Sequence, residues 1–320
     1  MHNQSLITII LTTYNRAHLI RETLDSIIAQ TYSNWKCIII DDNSNDNTSE
    51  VIQEYIKKDI RFQYHVKGDK YVKGLSASRN MGMDLIETTD FIHFFDDDDI
   101  MHPQKFEIQL KEFEKYSNLD LTVFPTVNFK DGEKLNIELI NQKVESNIIA
   151  NIAEDFILLK RIFTAQVPLI KYEYIKEVRF NEQLFYAEEW EVFNKLFFTK
   201  STKASYVNKP LYYHRKHNIS ITANFYGKTN IKEISNNQAF INVYQVVKNS
   251  PLFNGRIFSR FITFAYNNKQ NDELLTKIKS DLKKGLLSNR FKDIAVIVLV
   301  FCARLHGSLF IKLIHRVARW

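Results

Sequence analysis

Cysteine is almost absent from this chain. There are two in 320 residues, Cys37 and Cys302, and they lie far apart in the sequence. Cys37 sits inside the apolar run "WKCIII", so no disulfide is expected and a reducing compartment fits. Proline and glycine are scarce as well, at 5 and 8 residues, which excludes a collagen-like, repetitive or disordered chain. No apolar run suits a membrane span. The run Ile294–Ala303 has ten residues, where a spanning helix needs about 20. The N-terminus "MHNQSLITIILTTYNR" lacks a basic-then-apolar leader and is expected to be the first strand of a cytoplasmic protein. No G-x-G-x-x-G follows a predicted strand, so a dinucleotide oxidoreductase has no support. "GKT" at 227–229 lacks the earlier glycine of a phosphate loop, because Thr222 stands there.

What is present is unevenly charged. The formal net charge is +6, but residues 283–320 carry eight Lys/Arg against one acid, Asp293. The remaining residues are close to neutral, with 35 basic and 36 acidic side chains. The basic character belongs to the tail, so a nucleic-acid-binding core is disfavoured.

The first 130 residues alternate short apolar runs with helical patterns. "LITIIL" (6–11), "WKCIII" (35–40), "RFQYHV" (61–66) and "FIHFF" (91–95) read as strands. Helices are expected over about 17–30 and 48–58, with another opening from "LSASRNMGMDLIE" and a fourth after Pro103. Such alternation predicts an α/β, doubly wound, mainly parallel sheet with right-handed crossovers. From about 121 the pattern is mixed, with strand-like "LTVFPTVNF" and helices near 148–160 and 187–199. Residues 228–285 read as mainly helical. The expected organisation is one domain over 1–225, in two parts of about 1–100 and about 101–225. A helical extension over 226–320 would follow.

Three polar clusters follow three predicted strands: "TTYNR" (12–16), "DDNSND" (41–46) and "DDDD" (96–99). In an open α/β sheet, ligands bind at the carboxyl ends of the strands, so the clusters are expected to converge on one site. Four consecutive aspartates, with no cation beside them until Lys105, invite a positive partner. Their donors are oxygens, with no nearby Cys and no regularly spaced His, which suits Mg²⁺ or Mn²⁺ better than zinc. The plainer alternative is a solvated acidic turn capping the next helix.

Five stretches stand in order over about residues 5–222: "ITIILTTYNR", "CIIIDDNSNDNT", "GLSASRNMGM", "FIHFFDDDDIMHPQKF" and "YAEEWEVFNKL". Together they resemble the family 2 inverting glycosyltransferases. The resemblance implies a GT-A catalytic domain over 1–225, its nucleotide-binding half about 1–100 and its acceptor half about 101–225, and a nucleotide-sugar donor, a UDP-sugar by preference. Thr12, Tyr14 and Arg16 match the loop beside the nucleotide, and Asp42 the aspartate that holds the uracil or ribose. Arg79 would approach the base or diphosphate; its alternative is an ordinary helix-surface cation. Asp96 and Asp98 form the DXD pair, with Asp98 the direct ligand of Mn²⁺ or Mg²⁺ and Asp96 at the ribose or the metal's waters. Asp97 and Asp99 complete the run, Asp99 toward the donor sugar. His214 and Arg215, in "YYHRKHNIS", would stand near the diphosphate or metal, the alternative being a surface loop. His93, inside a strand, is expected to be a core residue.

Glu188 and Glu189 open a helix whose Trp190, Phe193 and Leu196 make an apolar stripe. Helix position alone favours both carboxylates, and the resemblance implies that one removes the acceptor's proton. The family has Glu-Asp here with the second residue as base. That points to Glu189, with Glu188 open because this chain has Glu in place of Asp. The chain lacks the Gln-x-x-Arg-Trp sequence of processive synthases, so transfer of one sugar is expected. The acceptor would be a glycan or lipid-linked glycan in surface-polysaccharide synthesis. The tail over 288–320, ending "SLFIKLIHRVARW", is basic and amphipathic. It suits a helix lying on an anionic membrane at the inner face of the plasma membrane; the alternative is packing on the catalytic domain or on a second subunit in a homodimer. A nucleotidyltransferase would carry a glycine-rich basic loop after the first strand, which "TTYNRAH" does not provide. A silent glycan-binding module would have lost acidic positions that are all filled here.

Overall fold

The computed structural model of the chain describes residues 5–68, 71–216, 229–267 and 272–283. The chain divides into two compact units. One comprises Met1–Ala150, Phe163–Val192 and Thr202–Lys232; the other comprises Asn151–Ile162, Phe193–Ser201 and Glu233–Trp320.

In the first unit, β1 (Ile7–Thr13) pairs in parallel with β2 (Trp35–Asp41) and β4 (Phe91–Asp96), and β2 with β3 (Phe62–Val66). Helices α1 (Ile20–Ile28), α2 (Thr48–Lys58) and α3 (Leu75–Asp84) make the crossovers. The strands are apolar on both faces: Ile9, Ile10, Leu11, Ile38, Ile39, Ile40, Phe94 and Phe95 have no solvent exposure. Continuous apolar runs of this kind belong to strands covered on both sides. On α1, Ile20, Leu24 and Ile27 are fully buried, one stripe at helical spacing.

Beyond β4 the sheet departs from a simple parallel order. The strands run β3-β2-β1-β4-β9-β6-β10-β8, where β6 is Leu121–Val123, β8 Ser146–Ile149, β9 Leu169–Lys171 and β10 Ala204–Val207. β9 is antiparallel to both β4 and β6, and β8 is antiparallel to β10. The sheet is therefore mainly parallel. The stretch "LTVFPTVNF" splits at Pro125 into β6 and β7 (Val127–Lys130), which join different sheets. Proline supplies no ladder N–H, so the break falls there. β7 belongs to a small sheet, β5-β11-β7, with β5 at Ile100–Met101 and β11 at Tyr212–Lys216. Helix α4 (Lys105–Lys115) follows β5. Of the helix expected near 148–160, only α5 (Ile152–Ile157) forms, because 146–149 is the edge strand.

In the second unit, Phe156 of α5 meets Phe193 and Phe197 edge to face, with centroids 6.0 and 5.5 Å apart. The last described elements are helices at Thr229–Val247, Gly255–Asn267 and Asp272–Lys283. Among the described residues, no helix is long and apolar enough to cross a membrane. The basic tail over 288–320, Cys302, His217 and the first two residues of "GKT" lie outside the described residues.

Candidate active site

Strand register brings the polar strand ends together. Thr12 pairs with Asp96 across β1 and β4, and Thr13 with Asp41 across β1 and β2. Both loops then turn through an asparagine in the left-handed region, Asn15 (φ 52°) and Asn43 (φ 62°), a conformation asparagine tolerates better than most residues. The loops are laced together. The Asn15 N–H donates to Ser44 Oγ (2.8 Å) and the Asn45 N–H to Asn15 Oδ1 (2.8 Å).

The four aspartates divide into two alternating pairs. Asp99 is 1% exposed and accepts from the Tyr212 hydroxyl and the Arg215 N–H (2.8 Å). Asp97 accepts from the Tyr14 N–H (3.1 Å) and faces Arg16 Nε at 3.4 Å. Asp96 and Asp98 keep more of their side-chain surface, 28% and 19%. Burial, followed by the charge of Asp98, holds Asp97 and Asp99 well above the usual carboxylate range. Burial also pushes Asp96 up to about 6; Arg79 opposes the rise, and Glu189 and Asp98 add to it.

Their counter-charges come from distant parts of the sequence. Arg16, after β1, reaches Asp97 and stands 3.9 Å from Asp98. Arg79, on α3, pairs with Asp96 at 3.1 Å. Lys105, the nearest cation in sequence, points elsewhere. Its Nζ is fully buried, donates to Gln109 Oε1 (2.8 Å) and lies 3.3 Å from His93 Nδ1. Burial lowers the Lys105 amine well below its ordinary value. His93 is likewise buried in the core, its Nδ1 3.1 Å from the Pro168 carbonyl.

Arg79 joins the two acidic ends of the site. It is not a helix-surface cation: it has no exposure, and its guanidinium meets Asp96, Glu189 (2.8 Å) and Glu188 (3.6 Å). Burial alone would lower its basicity, but Glu189, Asp96 and Glu188 outweigh that and hold it charged. Gly82 lets α3 come this close, since a Cβ there would fall 2.5 Å from Ile10 Cγ2 on β1. Asn80, the next residue of the motif, clamps Phe180 from both sides. Its Nδ2 donates to the Phe180 carbonyl and its Oδ1 accepts the Phe180 N–H, each at 2.9 Å. Asn80 thereby anchors the segment that leads to the glutamates.

Glu188 and Glu189 open α6 (Glu188–Thr199). Ala187, just ahead, sits at φ 63°, an unfavourable conformation for a residue with a Cβ. That turn aims both carboxylates at Arg79. Burial and the neighbouring Glu189 push Glu188 up to about 7, against the pull of Arg79.

The other expected residues fall as follows. Thr12 is buried at the end of β1. The Tyr14 hydroxyl accepts from Lys73 Nζ (3.0 Å). Asp42 accepts from the Gly74 N–H (2.8 Å) and is ion-paired with Lys67, which is buried and absent from the sequence reading. Arg215 turns away from the aspartate side chains: its Nη atoms bind Glu22 (2.7 Å) and Asp131 (3.0 Å), and its Nε donates to the Asp98 carbonyl. His214 stacks on Tyr212, with centroids 6.2 Å apart. Lys67, Asn80 and Gln166 were missed. Asn80 at least lies inside a quoted motif; Gln166, whose amide nitrogen donates to Asp96 Oδ2, carries no motif.

The donor set fits a hard divalent cation. Five carboxyl groups, those of Asp96, Asp97, Asp98, Glu188 and Glu189, share two guanidinium groups, those of Arg16 and Arg79, so acidic groups outnumber their counter-charges. Among the described residues, no three His, Cys, Asp or Glu side chains form a closed metal cage. One or two carboxylates whose cation takes its other ligands from phosphate and water would have that form.

Comparison with known proteins agrees with this architecture. Residues 8–166 match the model of a family described as glycosyl transferase family 2. The UDP-Glc:alpha-D-GlcNAc-diphosphoundecaprenol beta-1,3-glucosyltransferase WfgD of Escherichia coli is 34% identical over 105 residues, 33% of this chain and 40% of that protein. The GalNAc(5)-diNAcBac-PP-undecaprenol beta-1,3-glucosyltransferase of Campylobacter jejuni is 27% identical over 196 residues. That match covers 61% of this chain and 60% of the relative. The chain thus spans 40% and 60% of the lengths of these two curated relatives. Among solved structures, S. aureus TarS 1-349 in complex with UDP-GlcNAc matches with a TM-score of 0.67 at 16% identity, covering 98% of this chain and 91% of that one. At that identity the likeness shows the fold, a GT-A sheet followed by C-terminal helices.

Proposed function

Because the chain belongs to glycosyl transferase family 2, we propose that it moves one sugar, with inversion, from a UDP-sugar to a hydroxyl of a lipid-linked or growing glycan. The observation that carries this reading is the Arg79 bridge. One buried guanidinium spans Asp96, on the DXD side, and Glu189, on the base side, at 3.1 and 2.8 Å. A sugar whose anomeric carbon must face both a diphosphate and an attacking hydroxyl needs those two groups this close.

Each residue then has a task. Asp42, with the loop of Thr12 and Tyr14, takes the base and ribose; a carboxylate accepts from a uracil N–H or from ribose hydroxyls. Asp98, with Asp96 beside it, would hold Mn²⁺ or Mg²⁺. When bound, the cation neutralises charge developing on the leaving diphosphate. Glu189, oriented by Arg79 at 2.8 Å, removes the acceptor's proton. Glu188, pushed to about 7, is the second candidate for that role. Arg16 balances Asp97 and Asp98 so that the run folds before any ligand arrives.

The acceptor class rests on the names of the two curated relatives, both of which describe diphosphoundecaprenol-linked glycans. We further place the enzyme at the inner face of a membrane through the basic tail over 288–320, which lies outside the described residues. Calorimetry with UDP tests the core of the reading. Wild type should bind in Mn²⁺, and EDTA or Asp98→Ala should weaken binding by at least about tenfold. Binding indifferent to both would return the aspartates to a structural role. Hydrolysis of the donor without acceptor would separate a transferase from a silent binding module.

A further inference from the structure

Gln166 is a polar residue of the site to which the proposed chemistry gives no task. It lies on a turn closed by the Val167 N–H on the Thr164 carbonyl (3.1 Å), just ahead of β9. Its side chain is almost wholly buried, at 3% exposure. One oxygen of Asp96 receives Arg79 at 3.1 Å, and the other receives Gln166. The contact is made by the amide nitrogen, which can only donate. That leaves Gln166 Oε1 as the free end of the amide. Oε1 is out of reach of solvent and has no hydrogen-bond partner among the described residues. The same is true of Thr164 Oγ1, on the same turn. The turn is held from behind, where Gln109 Nε2 donates to the Val167 carbonyl (3.4 Å) and His93 Nδ1 meets the Pro168 carbonyl.

A buried acceptor left without a donor is destabilising, and native proteins keep few of them. The strand order indicates which donor is missing. The ends of β2, β1, β4 and β9 lie side by side in that order, with Asp42 leaving β2, Asp96 ending β4 and Gln166 leading into β9. A nucleotide-sugar lying across those ends, its base at Asp42 and its diphosphate near Asp96 and Asp98, carries its sugar toward Gln166. We infer that Gln166 Oε1 accepts a hydrogen bond from one hydroxyl of the transferred sugar and makes Gln166 a donor-specificity residue. The inference rests on the nucleotide-sugar reading above. A site built to bond a hydroxyl rejects the analogue that lacks it, because the site's own polar atom is then stranded.

The test uses the full chain with Mn²⁺ and whichever of UDP-glucose and UDP-N-acetylglucosamine the wild type hydrolyses, together with UDP and the monodeoxy forms of that donor. Wild type should bind one monodeoxy form at least about tenfold more weakly than the parent. Gln166→Leu should lose about tenfold more affinity for the parent donor than for UDP, and no longer distinguish the parent from that one deoxy form. Gln166→Met, of similar length, serves as a second variant if the first does not fold, with the same expectation. Equal weakening toward UDP and the parent donor would overturn the inference, leaving Gln166 as a support for Asp96. So would a parent-to-deoxy ratio unchanged at every position, which would mean that Oε1 holds only water. If wild type neither binds UDP nor hydrolyses a donor, the nucleotide-sugar reading itself fails, and that is seen before any variant is made.

Discussion

Removing the charge of Arg79 should unbalance this site in a pH-dependent way. Arg79→Met keeps much of the side chain's length and leaves Asp96, Glu188 and Glu189 without the guanidinium that stands 3.1, 3.6 and 2.8 Å from them. At an effective dielectric of about 20, each of the two closest contacts is worth roughly 5–6 kcal/mol before desolvation. Desolvation offsets much of that, and stripping one partner from a buried pair costs about 3–5 kcal/mol net. That is the loss expected near pH 8 in EDTA. Asp96 and Glu188 are raised to about 6 and about 7, above their unfolded values, so the native state binds more protons than the unfolded state in between. Wild-type stability should therefore rise as pH falls from about 8 toward 5, by up to roughly 3 kcal/mol per group. In the same window the variant strands fewer charges. As Asp96 and Glu188 take up protons, the loss should shrink to about half near pH 5.5. Urea unfolding of both proteins across that range gives the two curves. An equal loss at both ends would refute the reasoning, because the guanidinium would then act by packing on Phe180, 5.2 Å from its ring centroid, and not by charge.

Two further outcomes are expected. Ala187 holds φ 63° just before the two glutamates. Ala187→Gly should stay within about 1 kcal/mol of wild type, because release of left-handed strain offsets glycine's entropy. Ala187→Val should cost more than about 2 kcal/mol and lower kcat; thermal melts and donor turnover decide, and a valine variant indistinguishable from wild type would remove the role of this turn. Residues 288–320 carry six Lys/Arg, each worth about 1 kcal/mol near anionic lipid. Full-length protein should float with anionic liposomes, and a chain ending at Ser288 should not. Equal recovery would sink the membrane assignment.

Much of the fold was readable because its signals are periodic. Apolar runs of five to seven residues separated by helical stripes define β1 to β4 with their crossovers, and the ends of those strands are where the polar clusters stand. The irregular half was not readable. β9 has three residues and β6 three, too few for any period to mark, and nothing local says that β9 runs antiparallel between β4 and β6. The alternation of the aspartates was partly readable. Asp96 and Asp98 were singled out by resemblance, but the sequence does not say that Asp99 is consumed by Tyr212 and Arg215. The partner Tyr212 lies 113 residues away.

By itself, the sequence determined the kind of sheet, the strand ends that would carry chemistry, and a surplus of carboxylates that demanded positive charge. Local periodicity and composition are properties of neighbouring residues, and a linear chain displays them openly. Which cation answers which carboxylate was decided by tertiary structure alone. Lys105, six residues after Asp99, turns into the core, while Arg16 and Arg79 arrive from β1 and α3 to neutralise the run. Ion pairing depends on distance in space and on burial, and both are set only when the sheet closes those elements over one another.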